Sequence, residues 1–220
     1  MVDFTGGTWR SLIDGSEVSA IPDTDIAQFE SGTLHPSFEG DAGDFVVNSD
    51  PPLLTGDFSV KETSGDGGKY IHSRSGLDNY PRLDTRFALY VQGSGGIVDI
   101  GFLNGGSVGD FYTVGLSIAN NELLLIRLDG GSRTELSSRT SLPTISADTW
   151  YDLEAEVLSD GTITGRVFEV DQSSGDRQGS ALGDISATDT THTNEGLGLS
   201  QFASDSDYAY DNYRLLEDLS

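Results

Sequence analysis

Three carboxylates at alternate positions are the residues of this chain best placed to do chemistry. Asp152, Glu154 and Glu156 are separated by single apolar residues in the segment DLEAEV. If that segment is a β-strand, its side chains point alternately to opposite faces, so the three acids share one face. Glycoside hydrolysis needs two carboxylates at a set separation, which makes this triplet a candidate catalytic site. In so acidic a chain, we interpret it instead as the solvated face of a strand.

Other residue types that catalyse reactions or bind metals show no informative spacing. The three histidines, His35, His72 and His192, are far apart and form neither an H-x-H nor an H-E-x-x-H pattern. We therefore expect each of them in a loop or on the surface. No G-x-S-x-G nucleophile motif is present, and the glycines of Gly93–Gly96 do not lead into a helix that would hold phosphate. The absence of cysteine excludes disulfides and thiolate metal sites.

The charge balance is strongly acidic. The chain has 36 acidic residues against 12 basic ones, a net charge of −24, and its only lysines are Lys61 and Lys69. A surface of this kind repels itself unless salt screens it. We therefore predict adaptation to a halophilic cytoplasm or to brine, with an ordinary acidic protein as the alternative. The same charge argues against nucleic acid as a partner, because no basic stripe is present to meet phosphates.

From Ile26 onward, short apolar segments alternate with turns rich in Gly, Asp, Ser and Asn. The strands predicted from this pattern are 45–47, 58–62, 70–73, 81–92, 97–103, 112–119, 122–129, 133–138, 150–158, 162–171, 195–202 and 208–217. Asn120-Asn121, Asp129-Gly130-Gly131 and Asp160-Gly161 each separate two of these segments and predict hairpins. Many short strands without a convincing helix predict an all-β fold, a two-sheet antiparallel jelly-roll β-sandwich that spans residues 25–220.

Residues 1–24 differ from the rest of the chain. Phe4, Trp9, Leu12 and Ile13 are spread among polar residues without clean helical or strand periodicity. A tryptophan side chain buries a large area at low entropic cost, so it suits a contact surface. The segment is either a strand that packs on the domain's own core or an arm for docking or oligomerisation. The four apolar residues are the predicted contact residues of such an arm.

Several segments resemble concanavalin A-like and laminin-G-like domains. TWYDLEAEVLSDGTITGRVFEVD is similar to their second half, where a Trp-Tyr strand is followed by an Asp-Gly hairpin and a further strand. NEGLGLSQF and YAYDNYRLLE resemble their closing strands, and QFESG resembles the opening of many jelly-roll carbohydrate-binding domains. The likeness covers roughly residues 26–217, and it implies the jelly-roll fold more strongly than any one function.

The resemblance also implies a structural calcium site. In jelly-roll carbohydrate-binding modules, an acid near the first strand and an aspartate of the closing strand hold calcium with backbone carbonyls, and the matching residues are Glu30 and Asp211. The alternative is that Glu30 is a surface acid and that Asp211 caps a turn. Concanavalin A-like glucanases resemble Glu-x-Asp-x-Glu or Glu-x-Asp-x-x-Glu at their catalytic acids. The order here is Asp-x-Glu-x-Glu, and this departure puts the enzymatic interpretation in doubt.

Three functions fit these features. The first is a non-enzymatic virion surface protein of a virus of halophilic archaea, such as a capsid turret, decoration or tail-fibre component. It would contact copies of itself or other virion proteins, and host glycans. This interpretation follows from the acidic surface and from a chain start that lacks the regions of a signal peptide. The alternatives are a secreted or cell-surface carbohydrate-binding module and, second, a glycoside hydrolase. We expect no membrane insertion, because no apolar segment has the length of a membrane span.

Overall fold

The structure is a computed structural model that describes residues 2–5, 8–11, 17–18, 32–34, 38–49, 53–54, 56–63, 69–73, 83–91, 96–102, 110–158, 160–192, 197–201 and 208–216. Within these ranges one short 3-10 helix, Ala42–Asp44, accompanies eighteen strands. No helix in this part of the chain is long and apolar enough to cross a membrane.

The strands have the following bounds in chain order: β1 (Val2–Thr5), β2 (Thr8–Ser11), β3 (Glu17–Val18), β4 (Phe38–Gly40), β5 (Phe45–Asn48), β6 (Ser59–Glu62), β7 (Lys69–Ser73), β8 (Leu83–Val91), β9 (Ile97–Phe102), β10 (Phe111–Ser117), β11 (Glu122–Asp129), β12 (Ser132–Glu135), β13 (Thr140–Ser141), β14 (Thr149–Val157), β15 (Thr162–Val170), β16 (Arg177–Thr188), β17 (Leu197–Gln201) and β18 (Tyr208–Leu216).

Two large antiparallel sheets make up the body of the molecule. The first has eight strands in the order β12-β11-β10-β9-β17-β7-β4, with β13 paired to β11. The second has seven strands in the order β16-β15-β14-β8-β18-β6-β5. Strands from the end of the chain lie between early ones, with β17 between β9 and β7 and β18 between β8 and β6. The fold is therefore the predicted two-sheet antiparallel jelly-roll β-sandwich.

Tight turns join the consecutive strands where the sequence predicts hairpins. Asn121, between β10 and β11, has a φ of 53°, and Gly161, between β14 and β15, has a φ of 82°. This left-handed region is accessible to glycine and, at small cost, to asparagine. The segment Asp129-Gly130-Gly131 joins β11 to β12 in the same way. All three predicted hairpins are confirmed.

The core lies between the two large sheets and is filled from alternate positions of their strands. Its buried members include Val114, Leu116, Leu123 and Leu125 from the eight-stranded sheet and Leu153, Ala155, Ile163 and Val167 from the seven-stranded sheet. The two sheets are in close contact beside Gly165, where an added Cβ would lie 2.8 Å from both Cγ atoms of Val114. A side chain at position 165 would therefore push the sheets apart.

Replacing Gly165 by alanine should lower the free energy of unfolding by about 1–3 kcal/mol, because overpacking a filled core forces neighbouring side chains to move. Urea unfolding measures the change. Gly43→Ala is the matched control, since nothing lies within 4 Å of a Cβ at that position. Its effect should stay within about 0.5 kcal/mol. Equal losses in the two variants would contradict the close approach of the sheets at Gly165.

The N-terminal strands form a sheet of their own. β1, β2 and β3 pair in that order, and Trp9 is the register partner of both Phe4 and Val18. The apolar spacing of this segment did not predict strands, because segments of two to four residues are too short to show a period. Leu12 and Ile13 lie outside the described residues. The contact role of the four apolar residues stays a prediction.

Candidate functional site

The acidic triplet lies on the outer face of the seven-stranded sheet. The odd-numbered residues of β14 from Tyr151 to Val157 belong to the core cluster between the sheets. Side chains alternate along a strand, so Asp152, Glu154 and Glu156 face away from the other sheet. The prediction that the three acids share one face is confirmed.

Two arginines from neighbouring strands bind the triplet. Arg177 contacts Asp152 through Nε at 2.6 Å and Glu154 through Nη1 at 2.5 Å. Arg166 contacts Glu154 through Nη1 at 2.5 Å and Glu156 through Nη2 at 3.1 Å. The charges therefore alternate along the face in the order Asp152, Arg177, Glu154, Arg166, Glu156. We call these five side chains the charge ladder.

Strand pairing explains the position of one arginine, and a ring contact supports the other. Arg166 stands directly opposite Glu154 in the pairing of β14 with β15. Arg177 begins β16 and reaches across β15 to the acids of β14. Its guanidinium carbon lies 3.9 Å from the ring centroid of Phe168, a distance that allows a cation–π interaction. The ring of Phe168 thus supports the long arginine side chain on its way across the sheet.

The ladder is not a solvated strand face. Asp152 and Glu154 are only 5% and 6% exposed, because Arg166 and Arg177 lie over them. The sequence-based expectation of a solvated face is therefore wrong for these two acids. Burial alone would raise the pKa of Glu154, but hydrogen bonds from Arg166 and Arg177 outweigh it and lower that pKa below its ordinary value.

The electrostatics of the ladder suit binding better than acid catalysis. The general acid of a glycosidase has to keep its proton near neutral pH, which requires a raised pKa. Glu154 has a lowered pKa and stays ionised. Asp152 shares Arg177 with it and so already has a cationic partner. The ionised Glu154 accepts hydrogen bonds but does not donate a proton.

Part of the ladder remains open to solvent. The side chains of Arg166, Glu156 and Arg177 are 33%, 26% and 20% exposed. Of these three, Arg166 and Glu156 present guanidinium donors and carboxylate acceptors at positions that the ion pairs fix, whereas Nη2 of Arg177 is buried. The outer face therefore offers a polar surface of defined geometry to a ligand.

Asp211, the predicted calcium ligand, lies on the same face of the same sheet. Asp211 and Asp152 both stand opposite Ala88 of β8 in register. Asp211 is fully buried, and its Oδ2 accepts a hydrogen bond from the backbone N–H of Leu54 at 3.2 Å. Its predicted partner Glu30 lies outside the described residues. Among the residues that the structure describes, no group of three or more His, Cys, Asp or Glu could hold a metal ion. The calcium site stays a prediction.

A second polar cluster lies where β10 begins and β11 ends. Tyr112 is fully buried and donates a hydrogen bond from its hydroxyl to Asp189 at 2.5 Å. Arg127 contacts Asp189 at 2.6 Å and Asp129 at 2.9 Å. Burial and the bond to Asp189 together raise the pKa of Tyr112 to about 12. This cluster fixes the segment after β16 to the end of the other sheet.

The histidines differ in part from the sequence-based expectation. His192 is only 7% exposed, and its backbone N–H donates to the hydroxyl of Tyr112 at 3.1 Å. Its Nε2 lies 3.3 Å from the carboxylate of Asp129. His192 therefore lies in a loop, one of the two predicted locations, but it is buried in the cluster around Tyr112 and not on the surface. His72 lies in β7, and His35 lies outside the described residues.

The stability that Asp189 provides should depend on pH. Burial alone would raise the pKa of Asp189, but hydrogen bonds from Tyr112 and Thr191 and the charge of Arg127 lower it to about 2. Folding therefore favours the ionised form. This contribution, about 2 kcal/mol, is present above the unfolded-state pKa of about 4 and is lost as the pH falls through about 2. Asp189→Asn should be less stable than the wild type at about pH 6, and the difference should vanish near about pH 2. Urea unfolding at both values measures it, and a difference independent of pH would contradict this assignment.

Comparison with known proteins adds information on the fold. No family model matches the sequence, and no curated protein matches it. The carbohydrate-binding module CBM66 from Bacillus subtilis has a TM-score of 0.58 and 11% identity, over 82% of this chain and 96% of that chain. The cellulose-induced protein Cip1 has a TM-score of 0.57 and 15% identity, over 87% and 96%. The exoplasmic/lumenal domain of VIP36 in its Ca2+/Man-bound form has a TM-score of 0.57 and 13% identity, over 89% and 88%.

These similarities cover nearly the whole of both chains in each case, so they concern the complete sandwich and not a shared hairpin. Identities of 11–15% show the fold alone, because one fold carries many functions. The chain is a concanavalin A-like jelly-roll β-sandwich, the architecture that it shares with a carbohydrate-binding module and with a Ca2+/Man-bound lumenal domain.

Proposed function

We propose that this protein is a non-catalytic carbohydrate-binding domain and that the charge ladder is its binding surface. The observation that carries the proposal is the fixed geometry of the ladder. Five charged side chains are held by four contacts of 2.5 to 3.1 Å, and three of the five remain partly exposed. The fold supports the proposal, since a similar structure is a carbohydrate-binding module.

The chemistry of the ladder matches the chemistry of a sugar. Each sugar hydroxyl both donates and accepts hydrogen bonds, and hydrogen bonds to charged groups are stronger than those between neutral groups. Glu156 supplies acceptor oxygens, and the partly exposed guanidinium of Arg166 supplies donor N–H groups. Because the ion pairs already hold these side chains in place, ligand binding has to freeze little additional motion.

The same geometry argues against the hydrolase alternative. Each acid of the triplet contacts an arginine, and the central one has a lowered pKa. The central acid, Glu154, is then ionised and holds no proton for the leaving group, so it does not fit the role of general acid in glycoside hydrolysis. We therefore propose binding without turnover.

The direct test is a glycan-binding screen in concentrated KCl, followed by calorimetric titration of the best ligand with the wild type and with Arg166→Gln. Loss of the Arg166 charge removes donors at the centre of the ladder. We expect the affinity to fall about tenfold or more, as hydrogen bonds to charged groups contribute about 1.5–3 kcal/mol each.

Arg139→Gln is the matched control. Arg139 also contacts two carboxylates, Glu122 at 2.9 Å and Glu135 at 2.6 Å, but it lies beside the eight-stranded sheet. Its loss should leave the affinity unchanged. Equal loss of binding in the Arg166 and Arg139 variants would show that the ladder is not the binding surface. A screen without any bound glycan would refute the proposal as a whole.

We also propose the calcium site at Glu30 and Asp211. Support comes from the burial of Asp211 and from the VIP36 domain of the same fold, which has a Ca2+-bound form. Calcium should raise the melting temperature of the wild type, because an ion that binds only the folded state stabilises it. Asp211→Asn should abolish this shift. An unchanged melting temperature after chelation of the wild type would contradict the site.

An assembly role for residues 1–24 is a further proposal, and it includes the virion-surface interpretation. Its support is the acidic surface together with the apolar residues Phe4, Trp9, Leu12 and Ile13. None of the similar structures named above is described as a virion protein. Light scattering in concentrated KCl tests it. An oligomer in the wild type that dissociates in Trp9→Ser would support a docking arm, whereas a wild-type monomer would contradict it. A cell-surface or extracellular location fits a glycan-binding domain equally well.

A further inference from the structure

The charges of the ladder define the class of glycan that it accepts. On the basis of the proposed function, we infer that the ladder selects neutral glycans and rejects glycans that carry carboxylate or sulfate groups. Three observations support this inference: the internal pairing of both arginines, the sum of the charges on the face, and the partial burial of the ladder.

Both arginines of the ladder are already paired with carboxylates of the protein, so neither is available to bind an anionic ligand. Arg177 contacts two carboxylates at 2.5 and 2.6 Å, and Arg166 contacts two at 2.5 and 3.1 Å. Recognition of a carboxylate or sulfate depends on a guanidinium that can form two parallel bonds with it. Here the acids of the protein already bind Nε and Nη1 of Arg177 and both terminal nitrogens of Arg166, and Nη2 of Arg177 is buried out of reach of a ligand. An anionic ligand would have to displace them.

The sum of the charges is negative across the face. The ladder contains three acids and two arginines, which gives a net charge of −1. Two acids on nearby strands add to this sum. β18 contributes Asp211, which lies on the same face. On the other side, β16 places the exposed Asp184 opposite Arg166.

The repulsion should persist in high salt. Charges exposed to solvent are screened within a few ångströms at high ionic strength, but partly buried charges are screened much less. Asp152 and Glu154 are 5% and 6% exposed. Like charges placed side by side in an interface oppose binding strongly. A neutral sugar avoids this cost, and its hydroxyls still bond to the exposed edges of Arg166 and Glu156.

The experiment compares two probes of similar length, an unsubstituted β-glucan and polygalacturonate, by titration against the full-length protein in KCl. The inference predicts that the neutral glucan binds about tenfold more tightly or better. Polygalacturonate that binds as tightly as the glucan would overturn the inference and leave the proposed function intact. If neither probe bound, and no other neutral glycan bound either, both the proposed function and this inference would be overturned.

A pair of variants separates the local charge from the total charge. Glu156→Gln frees one edge of Arg166, so the binding of polygalacturonate should strengthen by about fivefold or more. Glu135→Gln makes the same change in net charge beside Arg139 on the other sheet and should have no such effect. Equal gains in both variants would show that total charge, and not the ladder, excludes acidic glycans, and they would overturn the inference.

Discussion

Replacing Arg177 by methionine should lower the free energy of unfolding by about 3–5 kcal/mol. The change keeps much of the apolar stem but removes the cation that contacts Asp152 and Glu154. Both carboxylates are almost completely buried, and Glu154 keeps only Arg166 of its two arginine contacts. A buried charge that loses a cationic partner is compensated less for its desolvation. Urea unfolding at neutral pH in concentrated KCl measures the loss.

The matching change on the other sheet is Arg139→Met. Arg139 has the same number of carboxylate contacts, but its side chain and those of Glu122 and Glu135 are 27–38% exposed. Exposed ion pairs contribute about 0–1 kcal/mol, so this variant should lose no more than that. If both variants lost the same small amount, the ladder would be an ordinary surface network and not a buried one.

Replacing Leu153 by alanine should lower the free energy of unfolding by about 2–5 kcal/mol. Leu153 lies between two ladder acids in sequence but points into the core, where it is fully buried. Truncation removes buried methyl groups and leaves a cavity between the sheets. Glycan binding should change little in the variant, since its side chain is on the opposite face from the ladder. Unfolding by urea and titration with the best ligand measure the two effects.

Val46→Ala is the control for Leu153. Val46 is a β-branched residue of β5 in the same sheet, but it is 44% exposed. Surface substitutions of this kind change stability by about 0.5 kcal/mol or less. A comparable loss in both variants would contradict the assignment of the odd-numbered face of β14 to the core.

Much of the fold could be predicted from local sequence alone. Each of the twelve predicted strands from residue 45 onward corresponds to a strand in the structure, and 122–129 matches β11 at both ends. These segments combine alternating or continuous apolar residues with turns built from Asn, Asp and Gly, and both signals are local. The pairing of strands far apart in sequence, such as β17 with β7 and β9, was not predicted, because local signals do not specify which distant strands pair.

The longest strand was missed. β16, Arg177–Thr188, has few apolar residues and contains Gly179 and Gly183, a composition that is typical of a loop. Its pairing with β15 breaks between Val167 and Glu169, so it shows no regular alternation. β16 is held in the sheet by its pairing with β15 and by contacts with other distant residues. One of these contacts is the hydrogen bond that the hydroxyl of Thr140 donates to the carbonyl oxygen of Asp184 at 2.8 Å.

The candidate site was predictable only in part. The alternation of β14 placed the three acids on one face, but the register of the hairpin did not follow from its turn residues. A two-residue turn at Asp160-Gly161 would place Val167 opposite Glu154, whereas the structure pairs Val157 with Ile163 and so brings Arg166 to that position. Arg177 could not be found either, because it follows the register break and lies on a strand that the sequence does not reveal. The burial of Asp152 and Glu154 depends on these arginines, and so it was missed with them.

The most direct test of the charge ladder as the binding surface is to map where a bound neutral oligosaccharide lies, by nuclear magnetic resonance titration of the isotopically labelled protein in KCl. If the ladder binds the ligand, the largest shifts of backbone amide signals should fall on the end of β14, the centre of β15 and the start of β16, around Glu156, Arg166 and Arg177. Shifts confined to the eight-stranded sheet or to the cluster around Tyr112 would contradict the charge ladder as the binding surface.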